Sequence, residues 1–221
     1  MQKDFTKGTC IIIGAGDLTV GALPYNPDTD YLIAADGGLM YCGILEVEPD
    51  LIIGDFDSVD EEYQNAVANI REVAPEKVVV LPREKDDTDM LAAIKKGLEL
   101  GYTSFRLYAA NGGRLEHTIA NIQLLKYLKA RGAVGYIMDG TGMILLAQDE
   151  TIAFKETMEG YVNIFSVNEK AHGVSIRGLK YEIEQATLTN ELPVGISNEF
   201  VGKKSEITVE DGTLLIIVNW I

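Results

Sequence analysis

Short apolar runs alternate with longer amphipathic stretches over the first half of the chain. Thr9–Ile13, Tyr31–Ala35, Leu51–Ile53, Lys77–Leu81, Phe105–Ala109 and Val134–Met138 are dense enough in Ile, Val and Leu to read as strands buried on both sides. Between them the pattern turns helical: Leu39–Leu45, a stretch from Asp60-Glu61-Glu62 to about Ile70, a helix with Leu91, Ile94 and Leu98 on one face, and another with Ile119, Ile122, Leu125 and Leu128. Strand, loop and helix in repeated order predict a doubly wound, mostly parallel α/β sheet with helices on both faces. The carboxyl ends of such strands face one crevice, where ligands collect.

After Val134–Met138 the pattern changes. Ile144–Ala147, Thr151–Phe154, Tyr161–Val167, Val174–Ile176, Ala186–Leu188, Glu206–Val209 and Leu214–Val218 are short β-type runs split by turns, with no helical stretch between them. This predicts an α/β domain over residues 1–138 and an all-β sandwich over 139–221, joined at the Asp139-Gly140-Thr141-Gly142 turn. Within the second half, Gly195-Ile196-Ser197-Asn198-Glu199-Phe200 reads either as a plain hairpin connection or as a ligand-contacting loop.

Composition narrows the partners. The 221 residues carry 34 acids against 19 bases, a formal charge of -15, and show no Lys/Arg stripe. That balance disfavours nucleic acid and anionic lipid, and leaves small ligands accompanied by a divalent cation. Cys10 and Cys42 have no paired spacing and read as buried thiols, not as a disulfide framework or zinc ligands. The start of the chain has no signal-type apolar region, and no stretch approaches the ~20 apolar residues of a membrane span, so a cytoplasmic location is expected.

Candidate chemistry sits at the predicted strand ends. Gly54-Asp55-Phe56-Asp57-Ser58 offers two carboxylates two residues apart, either an ordinary turn or a seat for one hard cation. Lys85-Asp86-Asp87-Thr88-Asp89 crowds three acids beside a lysine before a helix. Asp87 or Thr88 can cap that helix and Asp89 can favour its dipole, but three acids together are better explained by a shared metal ion and a basic side chain. Asn111-Gly112-Gly113-Arg114 precedes another helix, where backbone amides and a guanidinium can hold an anion. Gly14-Ala15-Gly16-Asp17 lacks the third glycine of a dinucleotide fingerprint, because Thr19 stands there; it reads as a tight loop whose amides can still reach phosphate. His117, alone, reads as a packed or surface histidine.

Six motifs in order carry a resemblance that runs over nearly the whole chain: Ala35-Asp36-Gly37-Gly38, Gly54 to Ser58, Lys85 to Asp89, Gly113-Arg114-Leu115-Glu116-His117 through Asn121, Gly178-Leu179-Lys180-Tyr181, and Ile196-Ser197-Asn198-Glu199. Together they resemble the thiamine pyrophosphokinases, most closely the bacterial type. The resemblance implies Mg²⁺-dependent transfer of pyrophosphate from ATP to the thiamine hydroxyl, giving thiamine diphosphate and AMP. It implies Asp55, Asp57 and Asp89 on the metal, Arg114 and Lys85 on phosphate charge, and amides near Gly37, Gly38 and Gly113 on phosphate oxygens. Asp36, Asp86, Thr88 and Asn121 would complete that cradle, with Glu116 polarising the alcohol or holding metal. Tyr181, Ser197 and Asn198 would receive thiamine at the interface of a homodimer. Two positions depart from the family pattern: Tyr181 where many members carry Trp, and Glu116 where Asp is usual. The competing expectations are a binding protein that has lost turnover, which the Glu116 change favours, and another Mg²⁺-dependent nucleotide-using transferase.

Overall fold

The structure is a computed structural model and describes residues 7–57 and 61–221; the expectations for Ser58, for Asp60 and for the first six residues lie outside them. The chain divides into two compact units, residues 1–140 and 141–221.

The first unit is built on six parallel strands: β1 (Cys10–Ile13), β2 (Tyr31–Ala35), β3 (Leu51–Gly54), β4 (Val78–Val80), β5 (Ser104–Tyr108) and β6 (Val134–Asp139). Their spatial order is β6-β5-β1-β2-β3-β4, with Ile12 opposite Ile33 on one side and Leu107 on the other. Every residue of β1 is fully buried, as an unbroken apolar run in a central parallel strand requires. Each isoleucine so buried contributes ~1.5–3 kcal/mol of transfer free energy.

Four helices cover the sheet: α1 (Gly38–Ile44), α2 (Glu61–Val73), α3 (Asp89–Glu99) and α4 (Leu115–Lys129). On one face Ile11, Ile13, Leu32 and Ile52 pack with Cys42 of α1 and Val67 of α2. On the other, α3 comes so near that a Cβ on Gly97 would lie 2.7 Å from Cys10 Sγ and 2.6 Å from the Phe105 ring, and Leu125 and Leu128 of α4 close over Gly135 of β6. The doubly wound layout expected from the pattern is therefore present. Within α4 the buried face is Asn121, Leu124, Leu125 and Leu128, whereas Ile119 is 50% exposed. The helical spacing located that face except at Ile119, whose neighbours His117, Ala120 and Asn121 line the crevice described below.

The second unit holds two antiparallel sheets. One has the order β12-β9-β14-β7, from β7 (Gly142–Gln148), β9 (Tyr161–Ser166), β12 (Gly195–Glu199) and β14 (Thr213–Asn219). The other has the order β11-β10-β13-β8, from β8 (Thr151–Phe154), β10 (Lys170–Arg177), β11 (Ile183–Thr189) and β13 (Ser205–Thr208). Val162, Ile164, Leu214 and Ile216 line the core side of the first, and Val174, Ile176 and Ile207 that of the second, giving the expected β sandwich. β10 and β11 run longer than the apolar runs suggested. Register shifts between Ala171, Val174 and Ile176 break the period-two pattern, with Gly173 at φ +62°. The Gly195–Glu199 stretch is a strand paired to β9, with a bulge between Gly195 and Asn198.

Candidate active site

Strand order reverses at β1: the chain steps outward through β2, β3 and β4, then returns to lay β5 on the other side of β1. The loops leaving β1 and β5 therefore face each other across a crevice. They are stitched by backbone hydrogen bonds, Gly14 N to Tyr108 O at 2.9 Å, Gly16 N to Ala109 O at 2.8 Å and Asp17 N to Asn111 O at 2.9 Å. Glycine is required at position 16 because a Cβ there would lie 2.4 Å from Asn111 O and 2.7 Å from Ala109 O. A cavity of about 490 Å³ opens at this point, walled by Gly14 to Gly16, Asp36, Asp55, Asp57, Thr88 to Met90, and parts of the segment from Ala109 to Asn121.

Three acids converge here, two from strand ends and one from a helix start. Asp36 follows β2, Asp55 follows β3, and Asp89 opens α3; each presents a carboxylate oxygen, and these oxygens lie within 4.8 Å of one another. The backbone is bent to achieve this. Asp36, Phe56 and Ala109, all just past strand ends, have φ of +48°, +56° and +46°, a left-handed conformation costing ~1–3 kcal/mol for such residues. Tyr63 of α2 holds the first of these turns, donating its hydroxyl to Asp36 O and accepting from Leu39 N. Thr88 caps α3 by accepting from Leu91 N at 3.2 Å, which turns Asp89 into the crevice.

Lys85 compensates part of this negative charge. Its ammonium pairs with Asp55 and lies 3.0 Å from Asp89. The hydrogen bond from Lys85 holds the Asp55 carboxyl below the usual carboxylate range, against the opposing effect of burial. Burial instead pushes Asp89 up; Lys85 counters it, and the neighbouring charges of Asp36 and Asp55 reinforce it. For Lys85 burial pulls downward, but the pairs with Asp55 and Asp89 prevail and raise it. Converging hard oxygen donors of this kind suit Mg²⁺ and do not suit a soft metal.

Gly112, Gly113, Arg114 and His117 bring the start of the fifteen-residue α4 to the wall of the same cavity. Gly112 and Gly113 have φ of +81° and +59°. The free amides of this helix start favour an anion. The Arg114 side chain is exposed and bonds Glu116 at 2.6 Å. Asn121 is buried and donates to Ala110 O at 2.6 Å, fixing the cavity floor.

Several positions differ from the expectations. Asp36, assigned to the phosphate cradle, stands with Asp55 and Asp89, while Asp57 lines the same cavity outside that trio, 3.8 Å from Arg83. Asp86 is exposed and away from the cavity wall, and Asp87 pairs with Lys95 at 2.5 Å. Gly37 and Gly38 do not line the cavity; Gly38 is there because a Cβ would sit 2.0 Å from Ile13 O. Glu116 and Lys85 are likewise absent from the wall. Gly14 and Gly16, read as a tight loop whose amides can still reach phosphate, do line it, and so does Met90, which the sequence reading did not single out. The glycine pair was the available signal; nothing in the sequence marked Met90 or Tyr63.

In the second unit, Asn198 is buried and its amide makes three hydrogen bonds: Oδ1 accepts from Tyr181 N and Glu199 N, both at 3.0 Å, and Nδ2 donates to Tyr181 O at 2.8 Å. Asn198 thus fixes the backbone that displays Tyr181, whose ring is 61% exposed. Ser197 is exposed at the β12 bulge, at φ +58°, and its amide donates to Asn163 Oδ1 at 2.8 Å.

Residues 24–135 match the family model described as thiamin pyrophosphokinase, catalytic domain, and residues 149–214 the model described as thiamin pyrophosphokinase, vitamin B1 binding domain. Thiamine pyrophosphokinase of Bacillus subtilis (strain 168) is 27% identical over 197 residues, spanning 87% of this chain and 89% of that relative. Among solved structures, the thiamin pyrophosphokinase of Geobacillus thermodenitrificans aligns with a TM-score of 0.82 at 26% identity, covering 97% of this chain and 98% of its own. That of Bacillus subtilis shares the fold with a TM-score of 0.86 at 24% identity, over 96% and 99% of the two chains. With the first model alone spanning half of its length, the chain belongs to the thiamine pyrophosphokinase family.

Proposed function

We propose that the protein transfers a pyrophosphoryl group from ATP to the hydroxyl of thiamine, yielding thiamine diphosphate and AMP, with Mg²⁺ at the Asp36, Asp55 and Asp89 oxygens. The observation that carries this reading is the convergence of those carboxylates on a cavity that is also lined by a helix start suited to anions. Mg²⁺, when bound, supplies charge neutralisation for the triphosphate.

The chain's own residues do the remaining work, which is chiefly positioning. The amides at Gly113 and the first turn of α4, with Arg114, receive phosphate oxygens. For Arg114 to do so, its guanidinium leaves Glu116, an exposed pair that costs little to open. Asp57 is assigned to the metal's outer surroundings, from where it orients bound water or Arg83. The thiamine ring is assigned to the exposed face of Tyr181, with Ser197 beside it on the β12 bulge and Asn198 fixing the Tyr181 backbone. A homodimer and a cytoplasmic location complete the reading. Among the described residues no helix is long and apolar enough to cross a membrane.

Incubation with ATP, Mg²⁺ and thiamine tests the reaction by its products. AMP with thiamine diphosphate supports the reading. ADP would mean transfer of a single phosphoryl group, and binding of both ligands without turnover would leave a non-catalytic protein of the same fold. Sedimentation of the purified chain tests the dimer, which a purely monomeric protein would rule out.

A further inference from the structure

Among the described residues, Lys85 is a cation held by two members of the acidic trio. It arrives from the loop between β4 and α3, and its ammonium touches two of the three carboxylates, pairing with Asp55 and lying 3.0 Å from Asp89. Its side chain is only 14% exposed, far less than the neighbouring basic groups. Those groups have other partners: Arg83 lies nearest Asp57, Lys95 pairs with Asp87, and Arg114 with Glu116. Three carboxylate oxygens within 4.8 Å of one another repel strongly when charged, and a half-hidden ammonium against two of them offsets that repulsion. The same oxygens are those proposed to take Mg²⁺.

We infer that Lys85 is an exchangeable counter-cation, holding Asp55 and Asp89 in place before a divalent ion arrives and competing with that ion for their oxygens. Binding of metal is then an exchange of a tethered single charge for a free double one. The energy needed to displace or crowd Lys85 is subtracted from metal affinity. Nucleotide-free protein should therefore bind Mg²⁺ weakly. A polyphosphate brings additional anionic oxygens both for the metal and for the released ammonium, so metal and nucleotide bind cooperatively and each strengthens the other equally. This deepens the proposed function and rests on it only for the identity of the metal-bearing carboxylates.

The test is thermal unfolding of nucleotide-free protein across a Mg²⁺ titration, repeated with Mn²⁺, for the wild type, Lys85→Met and Lys85→Arg. Lys85→Met should melt lower without metal. Its metal midpoint, taken as the concentration that raises the melting temperature by the same set amount, should nonetheless be about tenfold lower than in the wild type. Lys85→Arg, which keeps the charge, should retain a midpoint near that of the wild type. A purely structural role would lower every melting temperature and leave the midpoint unchanged, so an unchanged or higher midpoint in Lys85→Met overturns the inference. Should Lys85→Met not fold, Lys85→Gln, which keeps a hydrogen-bond donor without charge, is read in the same way. Addition of a non-hydrolysable ATP analogue should lower the wild-type metal midpoint more than that of Lys85→Met; equal shifts would also count against exchange. Product analysis of the wild type is run separately, so that absence of AMP formation sinks the proposed function while the metal midpoints still decide the role of Lys85.

Discussion

Phe56 separates Asp55 from Asp57, and its replacement tests how the carboxylates are aimed. Its ring is 7% exposed and joins Ile11, Ile13, Ile52, Val67 and Val78 in the apolar cluster on one face of the sheet. Its carbonyl accepts from Gln64 Nε2 at 3.1 Å, and its backbone has φ of +56°. Gly54 makes room for the arrangement, since a Cβ there would be 3.0 Å from Asp36 Cα and 3.2 Å from the Phe56 ring. Phe56→Ala deletes the ring and leaves the left-handed backbone strained, for a loss of ~3–5 kcal/mol. Phe56→Gly deletes the same ring but releases ~1–2 kcal/mol of that strain, against ~0.5–1 kcal/mol for the greater freedom of glycine in the unfolded chain. The glycine variant should therefore be the more stable of the two by ~0.5–1 kcal/mol, the reverse of the order in ordinary strand or helix interiors. Urea unfolding followed by far-ultraviolet circular dichroism measures it, because the α-helices among the described residues lie in residues 1–140. The single tryptophan, Trp220, reports residues 141–221 separately by fluorescence. An alanine variant more stable than the glycine variant, or a loss below ~1 kcal/mol in both, would refute the claim that a buried ring on a left-handed residue anchors this turn.

Asp36→Asn, Asp55→Asn and Asp89→Asn should each reduce AMP formation by about a thousandfold with unchanged circular dichroism, and Asp57→Asn by only ~10–100-fold; a larger loss at Asp57 would return the metal to the Asp55 and Asp57 pair. Gly38→Ala places a methyl 2.0 Å from Ile13 O and should cost ~2–3 kcal/mol in the urea transition, whereas an unchanged midpoint would mean that α1 is free to shift. Burial pushes the Cys42 thiol up to about 12 and the Cys10 thiol higher still, so at about pH 8 roughly one Cys42 in ten thousand is thiolate. Both should resist a disulfide-exchange reagent until urea unfolds the chain, and rapid native-state labelling would contradict their burial. Because the folded-state value lies above the unfolded ~8.5, the contribution of Cys42 to stability is complete below about pH 8.5 and declines as pH rises towards 12. Cys42→Ala should weaken that alkaline decline, read as a smaller drop in urea midpoint between about pH 8 and pH 10.

Strand identity was legible because central parallel strands leave continuous apolar runs, as Cys10–Ile13 does, and crossover helices leave spaced ones. Helix α4 was placed correctly, but Ile119 lies off its buried face. Ile119 follows the apolar spacing, yet its neighbours line the cavity, so local pattern and tertiary demand disagree there. Ligand-type residues were legible one strand end at a time, and their grouping was not. Whether Asp57 or Asp36 joins Asp55 and Asp89 depends on a φ of +56° at Phe56 and on the hydroxyl of Tyr63, neither of which has a sequence signature. Asn198 illustrates the same limit: a polar residue in a matching motif reads as a ligand contact, while its three hydrogen bonds go to the backbone around Tyr181.

The placement of β5 against β1 has a consequence for the order in which the protein comes into being. Cys10 pairs with Tyr31 early in synthesis, but its other neighbour, Phe105, emerges only after β2, β3 and β4 have been made. Until then this strand, fully buried in the finished sheet, presents an open edge. The loop from β5 that completes the crevice, and the helix start that follows it, arrive last among the parts of the site. A nascent or truncated chain ending before Ser104 would carry all three converging acids without the helix start that lines the same cavity. It would be a chain prone to pair with its own copies along β1, and a natural client for a chaperone that shields strand edges.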